Sequence, residues 1–190
     1  MRHGMKWAVI SAAALMAAPA FAAPSPATNA PPAKPAAAAK PAPAAKPAMS
    51  DKAQIEALEH GFIAAFNAKN VTRIMSYYDK AGLFVFDVIP PRDYPSWASY
   101  RKDWEQLVAE NPGPIEIKLS DLSIAVSGDL AYSHSIQGGY TTDKAGKKND
   151  LVVRVTDVYR KIDGRWKIVH EHVSVPVDFA TGKPDMLSKP

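Results

Sequence analysis

The sequence of 190 residues contains no cysteine. Disulfides, thiolate metal sites, a cysteine nucleophile and an acylated cysteine are thereby excluded, and any chemistry must rest on histidines, acids, hydroxyls or aromatics. Acidic residues are absent from the first fifty positions, which hold five basic ones, Arg2, Lys6, Lys34, Lys40 and Lys46. The formal charge of +4 comes from this segment, because residues 51–190 carry 18 basic against 19 acidic side chains. A nucleic-acid partner is not expected for so balanced a folded part. Long apolar runs are lacking too. The one sustained stretch, residues 7–16, is shorter than the roughly 20 residues a membrane span needs, so no span is expected. No GxSxG elbow, phosphate-binding glycine loop or dinucleotide fingerprint occurs, so serine hydrolase and nucleotide readings fall away and no cofactor is expected.

What is present begins with an address. Arg2 and Lys6, the apolar run and the small-residue pattern Ala20-Phe21-Ala22 read as a secretory signal over residues 1–22. The mature chain is then periplasmic or secreted. Residues 23–50 are mostly Pro, Ala and Lys, with Ala-Lys-Pro recurring at 33–35, 39–41 and 45–47. Such a composition cannot bury enough apolar surface to order itself, so a disordered linker is expected.

Further on, the periodicity changes. Asp51 with Gln54 suggests a helix start, and Ile55, Leu58, Phe62 and Phe66 follow at helical spacing to about Ala68. Asn70 can cap a short second helix, and residues 83–88 have the β-branched and aromatic content of a strand. A third helix is expected over about 96–110, with Trp97, Tyr100 and Trp104 on one side. Four strands follow, near 115–126, 130–142, 150–161 and 165–175. Helices first and strands afterwards indicate an α+β domain over residues 51–178, three N-terminal helices packed on a strongly bent antiparallel sheet, with a C-terminal tail over 179–190.

The last hairpin has two possible registers. A two-residue turn at Asp163-Gly164 pairs Lys161 with Trp166, whereas a three-residue loop pairs Lys161 with Arg165 and reverses the faces. The three-residue loop sorts the faces better and is adopted. It groups Val153, Val155 and Asp157 with Glu171 and Val173, and gathers Arg154, Thr156 and Arg160 with Trp166, His170 and His172 on the other side. That second face, too polar for a core yet holding a tryptophan, is expected to form a homodimer interface.

This order of elements, with Asn67-Ala68-Lys69-Asn70 after the first helix and the closing run from Asp163-Gly164-Arg165-Trp166 through His170-Glu171-His172-Val173-Ser174, resembles the SnoaL-like, ketosteroid isomerase-like branch of the nuclear transport factor 2 superfamily. The resemblance implies a cone-shaped fold enclosing a pocket. Carried over by position, the isomerase's general base falls on Asp87 and its oxyanion-hole acid on Asp157, the two expected catalytic residues. Its oxyanion-hole tyrosine falls on Phe62, which has no donor, so steroid isomerisation proper is not expected.

A carboxyl against apolar walls has its pKa raised, which suits Asp87 to proton abstraction near neutral pH. The expected ligand-binding residues are Phe62, Val85, Trp97, Tyr100, Val155, Glu171 and Val173. Their mostly apolar character points to a small hydrophobic molecule as partner. Three acids in one pocket would repel unless some are protonated. His170 and His172, with His134 nearby, read better as a polar interface than as a cation site, and no metal is expected. Two functions fit: acid/base catalysis of isomerase or cyclase type, or non-catalytic binding of a small molecule or peptide by a dimeric module tethered in the cell envelope.

Overall fold

The computed structural model describes residues 49–188. The signal expected over 1–22 and nearly all of the linker expected over 23–50 lie outside the described residues. Helix α1 spans Asp51–Asn67, α2 Val71–Met75 and α3 Trp97–Glu110. Strand β1 spans Phe84–Phe86, β2 Glu116–Ser127, β3 Leu130–Thr142, β4 Lys148–Ile162 and β5 Arg165–Ser174. Two short strands, β6 (Val177–Asp178) and β7 (Lys183–Pro184), form a hairpin where only a tail was expected.

Local chemistry explains the helix ends. Ser50, one residue before the expected start, caps α1 by accepting the Ala53 N–H at 3.3 Å. Asp51 is thereby released from capping, and its carboxylate accepts from Lys161 Nζ at 2.6 Å and Trp166 Nε1 at 3.1 Å, fastening α1 to the last hairpin. At the other end Asn67 clasps β2, donating to the Ile117 carbonyl at 2.9 Å and accepting its N–H at 2.8 Å. Asn70 caps α2 through Arg73, and Ser96 caps α3 in a reciprocal box with Ser99.

The sheet order is β1-β5-β4-β3-β2. It is mixed, not antiparallel throughout: β2 to β5 meander, but β1 runs parallel to β5 with Val85 opposite Glu171. Helix α3 and three strands intervene between β1 and β5, so no hairpin imposes an antiparallel pairing on that edge.

The β4–β5 turn also differs from the register that face sorting favours. Asp163 (φ 49°) and Gly164 (φ 73°) form a two-residue turn, and Lys161 stands opposite Trp166. A bulge then intervenes, because Tyr159 pairs with Ile168 but Val158 pairs with His170. The extra β5 residue reverses the parity, so Trp166 and Ile168 face inward near the turn while Glu171 and Val173 face inward beyond it. Trp166 is therefore buried beneath α1 rather than on the outer face, and His172 lies beside Thr156, His170 beside Val158. A single register could not satisfy both halves of the hairpin.

Three inward rows cross the sheet. One runs Val85, Glu171, Asp157, Ser133, Ile124; the next carries Val173, Val155 and Ser135; the third Val153, Gln137 and Leu119. Helix α1 contributes Ile55, Leu58, Phe62 and Ile63 to the core above them, and α3 adds Tyr100 and Trp104.

Candidate functional site

Between the helices and the inward rows lies a cavity of about 260 Å³. Phe62, Trp104, Leu107, Val153, Val155 and Val173 give it apolar walls. Asp87, Tyr100, Asp103, Glu171 and Gln137 place polar groups on it, and among the described residues no lysine, arginine or histidine lines it. Met186 reaches the wall because its carbonyl accepts the Val152 N–H at 2.7 Å, tying the C-terminal segment to β4.

Asp87 follows directly on β1. Its Oδ1 accepts the Val88 N–H, and its Oδ2 lies 3.0 Å from the Tyr100 hydroxyl. Burial raises its pKa, and Asp103 adds to this, against the lowering effect of the Val88 and Tyr100 hydrogen bonds. Glu171 is 3% exposed, with Oε1 2.6 Å from the Tyr100 hydroxyl and Oε2 2.8 Å from that of Tyr78. Burial pushes its pKa to about 7, and the nearby Asp87 adds to this although both phenols stabilise the carboxylate. The Tyr100 hydroxyl has one proton and touches two carboxyls. It can donate to only one, so the second contact is a hydrogen bond only when that carboxyl is protonated and donates back. Asp87, Tyr100 and Glu171 therefore form a chain suited to holding one proton between two acids.

A second acid cluster lies beneath. Asp157 and Glu59 are 2% and 1% exposed, and the Tyr159 hydroxyl donates to Glu59 at 2.6 Å while lying 2.7 Å from Ser133 Oγ. Burial raises Glu59 to about 7. Asp157 is raised well above the usual carboxylate range by burial first, then by Glu59 and Glu171, and its Oδ1 has no partner among the described residues. No cation among the described residues is paired with either acid, so the cluster is most stable when protonated.

Of the residues expected from sequence, Asp87, Phe62, Tyr100, Val155, Glu171 and Val173 meet at this cavity. Three do not. Val85 is fully buried in the core behind it. Trp97 lies at the start of α3, a turn before the lining residues Tyr100, Trp104 and Leu107, and its Nε1 donates to the Met75 carbonyl at 2.9 Å. Asp157 shares the row of Glu171 but stands one strand further in, under Glu59 of α1, and is absent from the wall. Phe62 supplies an apolar wall, packed edge-on against Trp104 and Tyr78 at 5.8 and 6.0 Å between ring centres. The hydroxyls that meet the site's acids come instead from Tyr100 and Tyr78.

Glu59, Tyr78 and Gln137 were not anticipated. Glu59 left a trace, an acid within the apolar stripe Ile55, Leu58, Phe62; Gln137 left another, a polar residue in the inward alternation of β3. His170 and His172 lie on the outer face against Phe86, 5.5 and 5.6 Å between ring centres. No group of three or more potential metal ligands occurs among the described residues.

A family model described as the SnoaL-like domain matches residues 55–178, most of the chain. The protein belongs to the SnoaL-like family. Solved structures agree with this SnoaL-like fold. An NTF2-like protein of unknown function from Pseudomonas putida KT2440 is 27% identical over 75% of this chain and 100% of its own, with a TM-score of 0.66. A Xanthomonas campestris protein, provisionally assigned as a calcium/calmodulin dependent protein kinase II association domain, is 25% identical over 69% of this chain and 91% of its own, TM-score 0.57. A ketosteroid isomerase-like protein from Erwinia carotovora atroseptica shares the fold at 18% identity, covering 64% of this chain and 93% of that one, TM-score 0.56. No curated protein matches the chain. The structural neighbours thus carry names of both enzymatic and assembly type, and the fold alone does not choose between them.

Proposed function

We propose that this SnoaL-like domain is an acid/base catalyst that moves a proton on a small hydrophobic molecule, with Asp87 as the base. The observation that carries the reading is the Asp87–Tyr100–Glu171 chain on the wall of an otherwise apolar cavity. An ionised Asp87 removes a proton from a carbon next to a carbonyl: the C–H bond breaks, an O–H bond forms on Oδ2, and the electron pair passes to the carbonyl oxygen. With Glu171 also ionised at the start, the Tyr100 hydroxyl then turns its proton from Asp87 to Glu171 and accepts from the newly protonated Asp87, so the chain holds the one abstracted proton. Reversal delivers the proton to the same or a neighbouring carbon. The raised pKa of Asp87 suits this role, because a base near the working pH both accepts and returns a proton readily.

Hydrogen–deuterium exchange at the α-carbons of 2-tetralone in D2O, followed by proton NMR, tests the reading. The protein is expected to accelerate exchange over buffer. Asp87→Asn should lose the acceleration, about 10²- to 10⁴-fold for a general base, while retaining 2-tetralone binding. Exchange at the buffer rate with wild type, or undiminished exchange with Asp87→Asn, overturns it and leaves the cavity as a binding site.

The reading includes export through residues 1–22, a periplasmic or secreted location, and a homodimer formed through the outer sheet face. Without Trp166, that face is marked by Phe84 and Phe86, 37% and 38% exposed, beside His170 and His172.

A further inference from the structure

The cavity has a second polar pole, away from its acids. Gln137 on β3 is 7% exposed, lines the cavity and makes no side-chain hydrogen bond among the described residues. Its neighbours across the strands are Leu119 and Val153, neither of which offers a side-chain partner. A primary amide can donate twice and accept twice, so one that opens onto a cavity without a protein partner marks a place for a ligand's polar atom.

The strand order sets the separation of the poles. Asp87 leaves the sheet at β1 and Gln137 lies on β3, with β5 and β4 between them. Three strand spacings of about 4.8 Å put the two backbones roughly 14 Å apart. The cavity between them, about 260 Å³, has room for two fused six-membered rings. The charge of the lining adds a sign rule. Asp87, Asp103, Asp150 and Glu171 all line the cavity and no basic residue does among those described, so a ligand carboxylate would enter an acidic cavity with no cation to pair with.

We propose that the cavity selects an uncharged, flat, bicyclic-sized molecule with a polar atom at each end, one engaged by the Asp87–Tyr100–Glu171 chain and the other by Gln137, and that Gln137 determines specificity. This names the ligand class of the site and rests on the reading of that site as the functional one, though it requires no catalysis. Phe62, Val155 and Trp104 hold the middle of the ligand, and the Gln137 amide accepts from or donates to its far end according to the group found there.

The test is calorimetric titration at pH 7 with three probes: 2,6-dihydroxynaphthalene, with two neutral polar ends; 2-naphthol, with one; and 6-hydroxy-2-naphthoate, with one end anionic. Wild type is expected to bind the diol about tenfold more tightly than 2-naphthol, the contribution of one well-made hydrogen bond, and the naphthoate more weakly than either. Gln137→Leu, nearly isosteric at a buried position, should abolish the diol's advantage over 2-naphthol. Equal binding of diol and 2-naphthol by wild type, an advantage that survives Gln137→Leu, or tighter binding of the naphthoate would each overturn the proposal. The three wild-type affinities decide without the variant if it fails to fold. Because only equilibrium binding is read, loss of the binding pattern is distinguishable from failure of the exchange reaction on Asp87.

Discussion

At the scale of residues, the protein concentrates acids where water is scarce and supplies tyrosines instead of cations to hold them. Glu171 has two phenols, Glu59 one, and Asp157 an oxygen without any partner among the described residues. This has a measurable consequence. Glu59 and Glu171 bind a proton more tightly in the folded chain, at about 7, than at the ordinary glutamate value of 4.5. Their contribution to stability is therefore complete below about 4.5 and is lost as the pH rises through about 7. For one such group a rise from 4.5 to about 7 corresponds to on the order of 3 kcal/mol. The melting temperature is expected to fall between pH 4.5 and 8, opposite to a protein held by ionised carboxylates. Glu59→Gln keeps an acceptor for Tyr159 but cannot ionise, so it should melt higher than wild type at pH 8 and show a shallower decline; an equal slope would show that Glu59 stays ionised. The sequence exposed part of this arrangement. Asp87 and Glu171 were legible as acids in apolar strands, and the crowding of three acids was foreseeable, but which carboxyl reaches the cavity depends on what lies above each strand. Glu59, lying over Asp157, was invisible in the strand pattern that suggested it.

At the scale of elements, the helices and strands were readable because each rests on local signals: caps at Asn70 and Ser96, breakers after Glu110, alternation in β3. The register of the last hairpin was not, because face segregation assumes one parity along a strand and the bulge opposite Val158 and Tyr159 changes it midway. Near the turn the two-residue geometry won, which buries Trp166; beyond the bulge the sorted pattern held, which brings Glu171 and Val173 to the cavity. A neighbouring contact fixes β2 against β3. Gly139 has φ 157°, and a Cβ there would lie 1.8 Å from the Glu116 carbonyl oxygen. Backbone cannot yield as a side-chain tip can, so Gly139→Ala is expected to destabilise by more than about 2 kcal/mol in urea unfolding. The adjacent Gly138→Ala, whose Cβ would come no nearer than 3.4 Å to any neighbour, Val152 Cγ2 first, should cost under about 1 kcal/mol. Equal costs would show that β2 can move away from β3. The same strand pair matters to the site, since Gln137 lies two residues before Gly139 and Asn67 anchors α1 to Ile117 directly opposite it.

At the scale of the whole molecule, the sheet has one face occupied by the core and one left open. On the open face Phe84 and Phe86 pack edge-on to each other, 5.1 Å between ring centres, and against His170 and His172. Tyr132, 53% exposed, stands two strands further on, beside Val158. Single exposed aromatics need no explanation, but aromatic and aliphatic side chains spread over adjacent strands, with imidazoles between them, have the mixed character of an interface rather than of a solvated sheet. Net charge does not oppose self-association, since residues 51–190 carry 18 basic and 19 acidic groups. In the proposed homodimer patch, Phe86 touches Phe84, His170 and His172, and it contributes little to the fold, being 38% exposed on a short edge strand. Phe86→Asp should therefore leave the melting temperature within a few degrees of wild type while converting the sedimentation coefficient from that of a dimer to that of a monomer, because the carboxylate would be desolvated among the aromatic rings the interface buries. Wild type sedimenting as a monomer, or Phe86→Asp sedimenting as a dimer, would remove the outer face from the reading. Neither outcome would alter the cavity, which lies on the opposite face of the sheet, among Val153, Val155, Glu171 and Val173.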